Sequence, residues 1–216
     1  YLWEEILTPN SILDILQNFV HLANEEEYFF NEKTQKIDIK ESEKLIFPRY
    51  HQLNLIKKFR SQIKKDGVGN NYLVQHTTGS GKSYSIGWLS HTLTSLYQKD
   101  GDTKRMFDSI IVVTDRKVLD NQLQKTIDDL KKNKGVVYPV EKGSSDLKKF
   151  LESGKDIIIS TIQKFPQISD TISSLGDKRF AVIIDEVHSS QSGQLSKELK
   201  KSLSKDDDDD RFDFED

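Results

Sequence analysis

The segment HTTGSGKS, running from His76 to Ser83, gathers residue types that can hold a polyphosphate. Gly79 and Gly81 let the backbone turn so that successive N–H groups face one anion. A helix opening at Lys82 would add the positive end of its dipole and its first-turn amides. Lys82 could then reach β- and γ-phosphates, and the Ser83 hydroxyl could ligate Mg²⁺. The strict spacing of a phosphate loop asks for glycine where His76 stands, and a plain strand-to-helix turn with a surface lysine produces the same local pattern.

A second stretch, FAVIIDEVH from Phe180 to His188, ends an apolar run in Asp185 and Glu186. Adjacent carboxylates there divide two tasks: Asp185 holds the Mg²⁺ shell, and Glu186 orients or deprotonates an attacking water. An acidic pair at the start of a loop is common; paired with a phosphate loop, each behind an apolar strand, it is not. The expectation is that Lys82 and Asp185 project from neighbouring strand tips and share one Mg²⁺-bound nucleoside triphosphate.

The elements that must position these groups alternate. Apolar runs are expected as strands at YLVQ (72–75), SIIVVT (109–114), GVVYPV, DIIIS (156–160) and FAVII (180–184), with Pro139 weakening the third. Between them lie amphipathic helices, one carrying Ile86, Leu89, Leu93 and Leu96, another Leu119, Leu123, Ile127 and Leu130. β-Branched runs alternating with helices predict an α/β fold, a three-layer α/β/α arrangement around a parallel sheet. In open parallel sheets ligands sit outside the carboxyl ends of the strands. The loop 76–83, Asp115-Arg116-Lys117, the stretch 160–163 and the stretch 185–188 are all expected on that edge. Upstream, residues 10–22 predict a helix with Ile12, Ile15, Leu16, Phe19 and Val20 on one face and Ser11 and Asp14 at its start. Residues 24–44 read as a polar connection with KIDI as a short strand. Helical periodicity resumes after Pro48 through Leu53, Ile56, Phe59 and Ile63.

The composition sets bounds. The chain has 216 residues, 35% hydrophobic and 31% charged, enough for one substantial core. With no cysteine, disulfides and thiolate metal sites are excluded. No apolar run approaches membrane-spanning length, which argues against a membrane role and fits a cytoplasmic protein. The net charge of −3 is misleading about nucleic acid, because the tail DDDDDRFDFED holds eight of the acidic residues and the remainder is net positive. Such an acidic run is expected to be solvated chain. The sequence divides into a helix and arm at 1–44, the main lobe at 45–205 and the acidic tail at 206–216. Tyr1 at the start suggests a piece of something longer.

HTTGSGKS resembles motif I of superfamily 2 helicases and translocases, and DEVH resembles their motif II. The finer resemblance is to the motor (R) subunit of type I restriction enzymes, carried by PRYHQ, HTTGSGKS, VVTDRKVLDNQL, STIQKF and DEVHSSQSG. It extends from about residue 10 to 195 and implies a RecA-like first motor lobe using ATP and Mg²⁺. The helix SILDILQNFV is similar to the segment joining that family's nuclease to its motor. The resemblance implies Arg49 and Gln52 near the adenine, with Gln52 reading its exocyclic amine and ring nitrogen. It implies Thr78, Gly79, Ser80, Gly81, Lys82 and Ser83 around the phosphates and Ser83 and Asp185 on the metal. Asp115, Arg116 and Lys117, with Ser160, Thr161 and Gln163, would touch a DNA strand through its phosphates without reading sequence. His188 would couple nucleotide state to DNA. The implied partners are double-stranded DNA and the modification and specificity subunits of a restriction complex.

From the residues alone, periodicity favours Gln52 as a solvent-facing helix residue and Arg116 and Lys117 read as an ordinary basic helix start, while His188 reads equally as a locally satisfied side chain. Other readings are a type III restriction or remodelling ATPase, or a non-hydrolysing nucleotide-binding assembly module. No second lobe with an arginine finger is legible after Asp185, so this chain alone is expected to bind ATP weakly, to hydrolyse it poorly and not to translocate.

Overall fold

The structure is a computed structural model and describes residues 2–32, 34–99, 101–114, 117–130, 136–141, 143–165, 175–176 and 178–185, with side chains at 2–3, 24–27 and 117–122 outside the description. The chain clusters into two compact units, one comprising residues 1–104 and 125–134, the other residues 105–124 and 135–216.

The first unit opens with a π-helical turn, Leu2–Ile6, followed by helix α1, Pro9–Asn18. Thr8 caps α1 by accepting the Ser11 N–H at 3.4 Å, three residues before the predicted Ser11 start. Of the predicted apolar face, Ile15 and Phe19 are buried, whereas Leu16 is exposed. The Trp88 indole N–H donates to the Phe19 carbonyl at 3.1 Å, satisfying two buried groups at once. Lys57 Nζ donates to Ser11 Oγ at 2.8 Å, and Arg60 pairs with Asp14 at 3.3 Å.

Residues expected as a polar connection instead form an antiparallel hairpin of two eleven-residue strands, β1 His21–Asn31 and β2 Lys36–Ile46. Its register sets Leu22 opposite Leu45, Tyr28 opposite Ile39 and Phe30 opposite Ile37. These six share one face by strand alternation and are all more than half exposed. The pairing is between residues up to 25 apart, His21 with Ile46, which no local periodicity announces.

Helix α2, Tyr50–Asp66, buries Leu53, Ile56 and Ile63 as predicted. Helix α3, Lys82–Thr94, buries Ile86, Leu89 and Leu93. At Gly87 a Cβ would meet Leu130 Cδ1 at 2.5 Å, so any side chain there would require Leu130 to shift. His91 Nε2 lies 2.9 Å from the Ile127 carbonyl in the same contact.

One expected strand is not formed. Residues 71–77, including YLVQ, carry no strand pairing, and Leu73 is 81% exposed. A strand exists only through its ladder, and no described strand flanks this segment. Tyr72 packs on Phe59 instead, ring centroids 5.2 Å apart, and its hydroxyl donates to Asp66 at 2.9 Å.

The second unit contains the parallel sheet. Strands β3 Ser109–Thr114, β4 Val137–Pro139, β5 Ile157–Thr161 and β6 Phe180–Ile184 lie in the order β4-β5-β3-β6, all pairs parallel. Every residue of β3 and β5 is buried, on both faces, as their unbroken apolar runs require. Helix α4, Lys117–Asp129, follows β3, and α5, Ser144–Glu152, precedes β5. Leu147 and Leu151 of α5 pack with Ile111, Val113, Ile158, Ile162 and Phe165 into one core. Pro139 sits on the edge strand β4, where its missing N–H costs no ladder bond. At the opposite end of the strands, Arg105 pairs with Asp156 at 2.6 Å and the Arg179 N–H donates to Asp108 at 2.7 Å. The α/β class with flanking helices is as predicted.

Candidate nucleotide site

The loop from Thr77 to Gly81 closes on itself: the Ser80 N–H donates to the Thr77 carbonyl at 3.2 Å. Gly79 and Gly81 have φ of +77° and +81°, the left-handed region that other residues enter only with strain. Gly81 is the residue before α3 and offers that helix no side-chain cap, so the helix N-terminus is shaped for an external acceptor. A Cβ at Gly79 would meet nothing within 4 Å, which leaves that side of the loop open. Lys82 is exposed, and Ser83 is half-buried on the first turn. These features fit a bound polyphosphate.

The first turn of α2 grips the loop from the other side. Arg49 Nη1 donates to the Gly79 carbonyl at 3.2 Å, and His51 Nε2 lies 3.0 Å from the Ser80 carbonyl. Gln52 Nε2 donates to the Ser80 and Gly81 carbonyls at 3.4 and 3.0 Å. Gln52 Oε1 accepts the Arg49 N–H at 2.8 Å, the return bond of a helix-start capping pair. Gln52 is only 2% exposed, so it is no solvent-facing residue, and its two amide hydrogens are both engaged by the loop. Arg49 and Gln52, expected near the adenine, both hydrogen-bond carbonyls of the loop 79–81.

His76, at the position where a generic phosphate loop has glycine, brings Nδ1 to 3.2 Å from Ser80 Oγ. Its pKa is held below the ordinary 6.5, first by burial, then by His51 and Lys82. The role of His51 was not legible in sequence. It lies 29 residues from Ser80, and no spacing rule connects a helix start to the backbone of a later loop.

In the second unit, parallel pairing aligns Thr114 with Thr161 and Val113 with Ile184, so the carboxyl ends of β3, β5 and β6 share one edge. Asp185 follows β6 there and donates its N–H to the Val113 carbonyl at 2.9 Å, fixing its backbone to the neighbouring strand. Ser160 and Thr161 are both buried, with Ser160 Oγ donating to the Thr161 carbonyl at 3.3 Å. Of that set only Gln163 is exposed. Asp115, Arg116, Glu186, His188, the Lys117 side chain and the tail 206–216 lie outside the described residues. The structure therefore brings together Arg49, Gln52 and residues 78–83 in one unit, and Ser160, Thr161 and Asp185 along one sheet edge in the other.

No helix among the described residues is long and apolar enough to cross a membrane.

Comparison with known proteins accords with this geometry. The SWI2/SNF2 ATPase family matches residues 51–207. A Mycoplasma pneumoniae protein, named as the C-terminal part of a type I restriction enzyme endonuclease subunit, is 30% identical over 168 residues, covering 70% of this chain and 76% of its own length. A type I restriction enzyme endonuclease subunit of Staphylococcus aureus strain COL is 29% identical over 138 residues, 62% of this chain and 14% of its own length. That of Staphylococcus saprophyticus is 26% identical over 161 residues, 73% of this chain and 16% of its own length. The chain therefore spans about a seventh of the staphylococcal relatives, where the matched share is 14%. A glycine-hinged loop at a helix start, carboxyl ends of parallel strands bearing Asp185, and matches that run through both place the chain in the SWI2/SNF2 ATPase family, among the endonuclease subunits of type I restriction enzymes.

Proposed function

We propose that this chain is the ATP-binding first motor lobe of a DNA-translocating restriction subunit, coupling ATP hydrolysis to movement along duplex DNA in the full protein. What carries the proposal is the loop 77–81, whose carbonyls are held by Arg49, His51 and Gln52 beside a helix start that lacks a cap of its own. Lys82 would neutralise the β- and γ-phosphates, and Ser83 and Asp185 would be the residues to hold Mg²⁺, which would supply charge neutralisation across the phosphates. Glu186 orients the attacking water and takes its proton. His188 transmits nucleotide state to the DNA side.

DNA phosphates are met by Asp115, Arg116, Lys117 and the exposed Gln163, while the buried Ser160 and Thr161 shape the edge from beneath. Residues 1–44 form the arm that leads into the lobe. The partners are double-stranded DNA and the modification and specificity subunits, in the cytoplasm.

The test is DNA-stimulated ATP hydrolysis by the full natural polypeptide carrying this sequence. Lys82→Ala abolishes nucleotide binding, and Glu186→Gln retains binding while lowering turnover by about 10²-fold or more, the scale of lost acid–base catalysis. Undiminished hydrolysis in Glu186→Gln would favour instead a nucleotide-binding assembly module.

A further inference from the structure

We propose that His51 and His76 are positioning residues for the phosphate loop, which they grip through Ser80, His51 at its carbonyl and His76 at its hydroxyl. The proposal rests on the nucleotide-binding reading of this loop and assigns the residues that hold it in a binding shape.

Ser80 stands between two hinges, Gly79 and Gly81, with φ of +77° and +81°. Each glycine can enter several backbone wells at little steric cost, so the loop has no stiffness of its own. Ser80 is the only residue between the hinges with a side chain to hold. His51 Nε2 at 3.0 Å from the Ser80 carbonyl acts as the donor, since a carbonyl only accepts. His76 Nδ1 at 3.2 Å fixes the Ser80 hydroxyl from a second direction. The two rings meet edge to face, centroids 5.7 Å apart and planes at 72°, so each imidazole also sets the orientation of the other. Main chain and side chain of Ser80 are thereby anchored independently.

The consequence for an anion follows from peptide geometry. In a trans peptide unit the C=O and the following N–H point to opposite sides of the chain. Holding the Ser80 carbonyl toward α2 directs the Gly81 N–H away from α2, and Gln52 does the same for the next unit by holding the Gly81 carbonyl at 3.0 Å. The Ser80 and Gly81 carbonyls are then turned toward α2 and the Gly81 and Lys82 N–H groups away from it, the arrangement a phosphate requires. The groups whose charge acts on His76 are Lys82 and, from α2, His51. A glycine at position 76 would leave the hydroxyl of Ser80 without this anchor, which gives His76 a reason to stand where the generic loop has none.

Two measurements on the full natural polypeptide test the assignment: equilibrium binding of a fluorescent ATP analogue, and amide hydrogen exchange across residues 77–84 without nucleotide. His51→Phe and His76→Gly are each expected to raise Kd about five- to tenfold, the scale of one lost hydrogen bond, and to speed exchange in that segment. His51→Gln, which keeps a donor, recovers affinity to within about twofold. The double variant loses less than the product of the single losses, because both side chains act through one serine. Equal losses in His51→Phe and His51→Gln, or unaltered exchange at 77–84 in both single variants, would overturn the assignment. Absence of ATP binding by the wild type would instead defeat the nucleotide reading, and the exchange data would still decide whether the two histidines hold the loop.

Discussion

Gln52 donates its amide to the Gly81 carbonyl at 3.0 Å, and a Cβ added to Gly81 would stand 2.7 Å from that same nitrogen. The loop and the helix start are fitted so closely that the absence of a side chain at Gly81 is part of the contact. Gly81→Ala therefore meets two penalties, a left-handed φ and a displaced Gln52. The first alone costs about 1–2 kcal/mol. We expect lowered stability in urea titration together with weakened ATP binding. Gly79→Ala, whose Cβ would enter open space, should carry only the backbone penalty.

Gln52→Ala removes one donor from the Gly81 carbonyl, which keeps the Tyr84 and Ser85 N–H groups, and takes from the Arg49 N–H the acceptor it has here. A loss of about 0.5–1.5 kcal/mol per hydrogen bond is expected. If Gln52 acts chiefly on the loop, affinity for ATP and GTP should fall together. Selective loss of ATP binding would show that base reading dominates, and competition binding with the two nucleotides distinguishes the outcomes.

Acid should loosen this region through His76. Its folded pKa lies below the ordinary 6.5, so between those values the unfolded chain binds the proton and the folded chain resists it. The stability associated with neutral His76 is present above 6.5 and is lost as pH falls through the folded value. Asp129, raised above the ordinary 3.8 chiefly by burial, has the opposite sign: its contribution is present below 3.8 and fades as pH rises through its folded value. Comparing wild type with His76→Asn in denaturant titrations from pH 7 to 5 isolates the histidine, and the variant should show the shallower fall.

The core of the second unit offers a prediction independent of any ligand. Leu147 is fully buried on α5 against the sheet. Leu147→Ala should cost about 2–5 kcal/mol in unfolding free energy, with the spread set by how far Phe165 and Ile158 can relax into the gap. In the first unit, Gly87→Val should cost about 1–3 kcal/mol for the opposite reason, since its Cβ would force Leu130 to repack.

The legibility of this fold in the sequence followed the range of the interactions. β3 and β5 were readable because a strand buried on both faces needs an unbroken apolar run, as their IIVV and III stretches supply, and the half-buried β6 carries a run of the same kind in FAVII. The hairpin was missed because its middle is charge-rich and its apolar pairs, such as Tyr28 with Ile39, become neighbours only after the chain turns back. YLVQ erred the other way: its composition suits a strand, but composition supplies no hydrogen-bonding neighbour. At the site, residue types identified the loop and Asp185. Spacing could not reveal that His51 and Gln52 reach back to carbonyls 29 residues further on.

Among the described residues β6 pairs with β3 along one side, and its five apolar residues remain half-buried where those of β3 and β5 are fully enclosed. A strand edge left without a partner is a template: its amides and carbonyls accept an extended segment, and among crowded copies of this chain that segment can belong to a neighbour. Solubility is thus tied to the same five residues that carry Asp185 to the sheet edge, and a charge introduced to guard the rim would be placed beside the chemistry it was meant to spare.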